Sequence, residues 1–285
     1  MAWPYSSGMV SCRWTSDPGS MRCICLLPAG LLILLIVGVL AGLLIHLPLS
    51  QALVALASAE IRFALSLTLL TSGAATLIAV ILGVPAGHFL ARQTFKGKMV
   101  VDTLIDLPMT MTPLVAGVGL LFLLGNDTVR NTLDRLGIEL LFTPWGAILA
   151  QVLIVAPIMT RTSRAAFAAI DGRYEQAAQT LGLKPGQVFL RVSLPLARSV
   201  ILSGVVLCWA RAVGEFGATL MVAGATRFRT ETLPIAVYLN ISSGELGIAL
   251  VCAWLLIMTG FLVLLAMRWI GTPLAADSAV LRFGP

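Results

Sequence analysis

Charged residues are scarce in this chain: Asp, Glu, Lys and Arg make up 11% of 285 residues, against 58% hydrophobic residues and a mean hydropathy of +0.96. A soluble core does not require that excess of apolar side chains, so the composition places the chain in lipid. Cysteine is also sparse. Cys12, Cys23 and Cys25 precede or open the first apolar run, and Cys208 and Cys252 lie inside later ones, which excludes a disulfide framework. The Cys23-Ile24-Cys25 pair has no histidine near it, whereas a structural metal site takes four ligands, so no metal is expected. His46 and His88 stand alone within or at the ends of predicted helices, where packing or interfacial roles are expected. No Gly-x-x-x-x-Gly-Lys-Ser/Thr loop occurs, and no glycine-rich loop follows a predicted strand, so no nucleotide or other cofactor is expected on this chain.

What the chain has instead is six apolar runs of about 20 residues or more, each long enough for a hydrocarbon layer: 26–49, 63–90, 107–124, 145–170, 196–223 and 246–270. The connections are short and leave no room for a second soluble domain. The predicted fold class is therefore all-α, a polytopic membrane protein with six transmembrane helices over 26–270. A tail at 1–25 is read as disordered, because Met1 to Ser20 is polar and without periodicity, and a second tail follows at 271–285. Met21-Arg22 directly before the first run is an alternative start. That run is span-length rather than the about 7–15 residues of a secretory signal, so an uncleaved helix is preferred to cleavage near Ala57-Ser58-Ala59.

Orientation follows from Lys and Arg in the short loops. One side carries Arg13, Arg22, Arg92, Lys96, Lys98, Arg161, Arg164, Arg173, Lys184, Arg191, Arg198, Arg268 and Arg282; the other carries Arg62, Arg130, Arg135, Arg227 and Arg229. Thirteen against five puts both termini in the cytoplasm of a cell-membrane protein. The net charge of +6 is thus accounted for by topology and membrane lipid, and no nucleic-acid partner is expected.

The basic segment 171–195 separates the fourth and fifth runs. Asp171 can cap a helix start and Gly182 suits the left-handed residue that ends one, about three turns later. Between them Tyr174, Ala177, Ala178 and Leu181 follow an i, i+3, i+4, i+7 pattern, with Arg173, Gln176, Gln179 and Thr180 polar. This predicts a short amphipathic helix outside the bilayer. Lys184-Pro185-Gly186 then turns the chain, Val188, Phe189 and Val192 are placed to pack a second short helix on the membrane domain, and Pro195 to start the next span. From periodicity alone, a partner-docking helix and a hairpin resting on the membrane surface are equally open.

Glu175-Gln176-Ala177-Ala178, then Gly182, nine further residues and Val192-Ser193-Leu194-Pro195 resemble the EAA loop of permease subunits of ABC importers. Gln176 occupies that loop's glutamate position, with Glu175 one residue earlier, and Val192 replaces an isoleucine. The resemblance implies a type I importer permease fold working as a homodimer. It also implies two copies of an ATP-binding subunit, a substrate-binding protein that delivers the cargo, and no ATP hydrolysis on this chain. It assigns ATPase coupling to Glu175, Gln176, Ala177, Ala178, Leu181 and Gly182.

Within the fifth run, Ala210, Gly214 and Ala218 form a small-residue stripe and Arg211, Glu215 and Thr219 the stripe beside it. Arg211 and Glu215, one turn apart, are read as a gating or structural ion pair. Arg211 to Thr219, with Thr230-Glu231-Thr232-Leu233-Pro234-Ile235-Ala236-Val237-Tyr238, resembles the oxyanion branch of these permeases, closest to those for molybdate, with sulfate and thiosulfate permeases as the alternative. Asp106-Leu107-Pro108 and Pro113-Leu114-Val115-Ala116-Gly117 fit the same branch. Candidate path residues, chosen for polarity and helix-breaking proline, are Thr110, Met111, Thr112 and Pro113, with Thr219. An ion-driven secondary transporter is the competing class; it predicts inverted repeats and unpaired membrane-depth acids, and the fifth run offers one acid with an arginine beside it.

Overall fold

A computed structural model describes residues 18–46 and 57–280, with side chains described for 26–46, 57–263 and 265. Every regular element among them is a helix. The first, α1 (Pro18–Ile45), forms a unit by itself. It starts at Pro18, ahead of the boundary predicted at Leu26, because proline is tolerated in a first turn and nothing from Met21 to Leu26 interrupts the helix. Leu26 to Ile45 is apolar on every face of the helix, as suits a helix whose solvent is lipid. Of the tail predicted at 1–25, residues 18–25 are helical, and 1–17, like the end of the first run at 47–49 and residues 281–285, lie outside the described residues.

The second unit holds α2 (Ala59–Arg92), α3 (Lys98–Thr110), α4 (Pro113–Gly125), α5 (Asp127–Arg135), α6 (Pro144–Ala168), α7 (Arg173–Thr180), α8 (Pro185–Val188), α9 (Leu194–Val213), α10 (Gly217–Ala223), α11 (Leu233–Ser242) and α12 (Leu246–Val280). Among the described residues of the whole chain, α1 included, five helices are long and apolar enough to cross a membrane, six if α3 and α4 count as one bent span. The last continues to Val280, beyond the predicted end at Ile270.

The core lies where α2, α6 and α9 meet: Ala79 and Val84, Val155, Met159 and Phe167, and Ala197, Ile201 and Cys208 are buried together. Close approach of α2 and α6 depends on small residues four apart. A Cβ on Gly87 would lie 2.7 Å from both Ser163 Cβ and Arg164 N, and one on Gly83 would lie 3.0 Å from Met159 Cβ. Around this seam α2 is also cross-linked by hydroxyls. Thr68 Oγ1 accepts from Leu233 N of α11 at 2.7 Å, and Ser72 Oγ accepts from Trp209 Nε1 of α9 at 3.0 Å.

Two runs expected to be single helices are broken. The third bends by 113° between α3 and α4. Pro113 has no N–H and forces Thr112 out of the helical region, to φ −65° and ψ 141°, so the ladder ends and restarts with proline in the first turn. The fifth stops at Val213 and resumes at Gly217, because Glu215 turns its side chain back to accept from Ala218 N at 2.9 Å and so opens a new helix. The small-residue stripe is thereby split between two helices. Its last member still serves close packing: a Cβ on Gly117 of α4 would fall 2.6 Å from Ala218 Cα.

Candidate functional site

The helix predicted between Asp171 and Gly182 is α7, eight residues long, nearer two turns than three. Asp171 Oδ1 accepts from Arg173 N at 2.9 Å and caps the start. Gly182, at φ 89°, takes the left-handed conformation that closes the end, and the amide of Leu183 returns to Ala178 O at 3.2 Å. The following segment differs from the prediction. Pro185 starts a helix that does not stop before Pro195 but runs through a π turn, Phe189–Ser193, into α9.

The predicted apolar stripe of α7 does not turn inward as a unit. Ala178 is buried, while Tyr174, Ala177 and Leu181 are exposed, Leu181 at 82%. Gln176 is exposed beside them and Gly182 stands at the exit. The contact that fixes the helix to the bundle is Glu175, placed away from this open face. Its Oε1 accepts from Arg92 Nε at 3.0 Å and from Ser193 Oγ at 2.6 Å, and lies 3.5 Å from His88 Nε2. Burial alone would raise the Glu175 carboxyl pKa, but the hydrogen bonds from Ser193 and Arg92, with the positive charge of Arg92, outweigh it and hold the group below its ordinary value. His88 is packed edge-on to Phe167 at 4.9 Å and beside Phe189 at 4.8 Å, so it is part of the joint rather than an isolated ring.

The second constellation lies at the other end of α9, about 30 Å away by helix rise. Arg211 Nη1 lies 2.6 Å from Glu215 Oε2; the carboxylate is 1% exposed and the arginine 35%. Thr219 is fully buried on α10, which packs on α4. Pro113 is half-buried at the start of α4 against Gly217, whereas Thr110, Met111 and Thr112 are exposed at the bend, with Thr110 Oγ1 donating to Leu107 O at 2.8 Å. The structure thus brings Pro113, Glu215 and Thr219 into one neighbourhood.

Three features were missed in the sequence. Arg92 and His88, one turn apart at the end of α2, carried the signal of two nitrogen-bearing side chains on one face. Asp102 and Arg164 pair at 2.7 Å beside a cavity of about 300 Å³ between α3 and α6. In the loop after α10, Glu231 is fully buried, Arg227 Nη1 lies 3.4 Å from Glu60 Oε1, and the Glu60 carboxyl is within hydrogen-bonding reach of Glu231. Burial and the adjacent Glu60 push the Glu231 carboxyl up to about 7 against the opposing pull of the Phe228 N–H and Arg227. Among the described residues, no group of three or more His, Cys, Asp or Glu is placed to hold a metal.

Residues 79–273 match the family described as binding-protein-dependent transport system inner membrane component. A molybdenum transport system permease protein of Mycobacterium tuberculosis is 36% identical over 219 residues, covering 75% of this chain and 81% of the relative. Its Escherichia coli counterpart is 36% identical over 211 residues, 73% of this chain and 92% of the relative. A molybdate/tungstate transport system permease protein of Thermococcus kodakarensis is 37% identical over 156 residues, 55% and 58% of the two chains. Among solved structures, a chain of a bacterial ABC transporter involved in the import of the acidic polysaccharide alginate superposes with a TM-score of 0.73. That match has 19% identity and covers 89% of this chain and 95% of that one. The MetNI methionine ABC transporter in an inward-facing form gives 0.58 at 17% identity, covering 73% and 92%. The shared architecture is that of type I ABC importer permeases.

Proposed function

This chain belongs to the binding-protein-dependent transport system inner membrane components, and on that premise we propose that it is the membrane-spanning permease of an ATP-driven importer for molybdate or tungstate. The observation that carries the mechanism is α7: a short helix fastened by Glu175 while Tyr174, Gln176, Ala177 and Leu181 stay open to a partner. The ATP-binding subunit docks on that face, one on each permease of a homodimer, and performs the hydrolysis. Supporting the docking role, the exposed apolar residues stand at the end of the bundle that carries most of the Lys and Arg, the end assigned to the cytoplasm.

A substrate-binding protein delivers the oxyanion at the opposite end, a partner of the kind found with the related alginate importer, solved in complex with a periplasmic protein. Tight binding inside the permease would prevent release, so affinity belongs to the binding protein and the path is weakly polar. Pro113 and Thr219 then stand by the path, and Glu215, neutralised by Arg211, presents no bare negative charge to the anion. Thr110, Met111 and Thr112 line the approach at the α3–α4 bend.

The test is uptake of molybdate by vesicles holding this chain, its ATP-binding partner and a loaded binding protein. Uptake appears on addition of ATP and disappears when the partner is omitted. Accumulation without any ATPase, or sulfate carried in preference to molybdate, overturns the reading.

A further inference from the structure

The attachment of α7 reaches farther than the chain's connectivity does. The backbone joins α7 to α6 on one side and, through 181–184, to α8 and α9 on the other. Its link to α2 consists of side chains: Arg92 Nε and Nη2 each lie 3.0 Å from Glu175 Oε1, with His88 at 3.5 Å. The same guanidinium donates through Nη1 and Nη2 to Ile170 O, both at 3.2 Å, where the chain leaves α6. A planar, forked cation is needed to hold a carboxylate and a carbonyl together; a lysine ammonium offers one compact charge.

Ser193 completes the joint from the third helix. It closes the π turn Phe189–Ser193, the one place where the path from α8 to α9 departs from regular α geometry, and such turns are frequent at functional sites. The turn presents Phe189 to His88 and Phe167 while Ser193 Oγ reaches Glu175 at 2.6 Å. The end of α2 and the π turn leading into α9 therefore meet on one carboxylate of α7, while the exit of α6 is held to the same guanidinium through Ile170 O.

We propose that Arg92 is a positioning residue for energy coupling: through Glu175, and with Ser193, it makes α7 and α2 move as one body, so that displacement of the docking face reaches a helix the backbone connections leave out. The inference rests on α7 being the ATPase-docking helix. A purely structural clamp would, when broken, lower assembly, hydrolysis and transport together. A coupling joint, when broken, separates hydrolysis from transport.

The experiment measures molybdate uptake and ATP hydrolysis in the same vesicles, using the complete transporter with its ATP-binding subunit and binding protein. Arg92→Ala raises the ATP hydrolysed per molybdate carried by about tenfold, Arg92→Lys and Ser193→Ala by about threefold, as expected for contacts within one coupled network. A ratio unchanged from the unmodified transporter, or uptake and hydrolysis falling in proportion, overturns the proposal. Should Arg92→Ala fail to assemble, Ser193→Ala, which leaves the Arg92–Glu175 pair in place, decides by the same ratio. Lack of ATP-dependent molybdate uptake by the unmodified transporter overturns the functional reading itself; failure of the joint alone shows only in the variants.

Discussion

Arg211 and Glu215 meet at 2.6 Å at the point where α9 ends, so the ion pair closes one helix while the second oxygen of the same carboxylate opens the next by accepting from Ala218 N. The pair and the helix break are one device. Without the carboxylate, the amide at the start of α10 would be left in a buried setting with nothing to meet it.

Replacing Arg211 by Ala while Glu215 remains leaves a buried carboxylate without its cation. The expected loss is on the order of 2 kcal/mol, less than for a fully buried pair because the arginine is partly exposed. Adding Glu215→Gln recovers part of it, since an amide oxygen can still accept from Ala218 N. Thermal unfolding in detergent of the two single variants and the double reads the coupling directly, and strictly additive losses count against the pair.

At Gly182 the backbone stands at φ 89° with open space where a Cβ would be. Gly182→Asp therefore costs about 1–2 kcal/mol of local conformational strain without a clash. The chain remains folded in the membrane but retains less ATP-binding subunit on co-purification, because the strain and the new charge fall at the exit of the docking helix. Full retention would remove Gly182 from the docking surface.

Glu175 gives an acid-side signature. Its carboxyl is held below the ordinary 4.5, so its contribution to stability is complete above that value and is lost as pH falls through the lowered folded value. Glu175→Gln flattens the acid limb of a melting-temperature profile taken below pH 5. A limb unchanged in slope shows that the joint does not carry that dependence.

Glu231 behaves in the opposite sense. With its carboxyl raised to about 7, the native chain holds a proton that the unfolded chain releases near 4.5, so stability falls as pH rises through that window and the full penalty stands above 7. Glu231→Gln removes the penalty. Relative to the unmodified chain it melts higher at pH 8, by roughly 2–4 °C for each kcal/mol recovered, and shows a smaller difference at pH 5.

Hydropathy and loop charge were enough to find the long apolar runs and the segment 171–195, because both depend on local composition, but not the short helices α5 and α11. They do not record backbone direction, so the 113° turn ahead of Pro113 was hidden inside an apolar run, although the proline itself marked the place. The break after Val213 was harder to see, since Glu215 ends the helix by a side-chain acceptance that periodicity does not reveal. Glu175 was placed with the docking residues because it sits beside the alanines. Its inward role depends on Arg92, 83 positions earlier in the chain, and no local pattern specifies a contact of that separation. Periodicity likewise does not say which members of the Tyr174, Ala177, Ala178 and Leu181 stripe the bundle covers: only Ala178 is buried, and Tyr174 and Leu181 stand exposed.

At 34 residues α2 is about 50 Å long, well beyond the roughly 30 Å of a hydrocarbon layer. Glu60 in its first turn, paired with Arg227, and Arg92 in its last, paired with Glu175, can therefore both stand in the polar margins of the bilayer. The overhang means that neither pair must be sunk into lipid at any ordinary tilt. Packing against α6 and α9 sets how this one helix leans, and that lean governs how far apart the two ionic fastenings stand along the membrane normal.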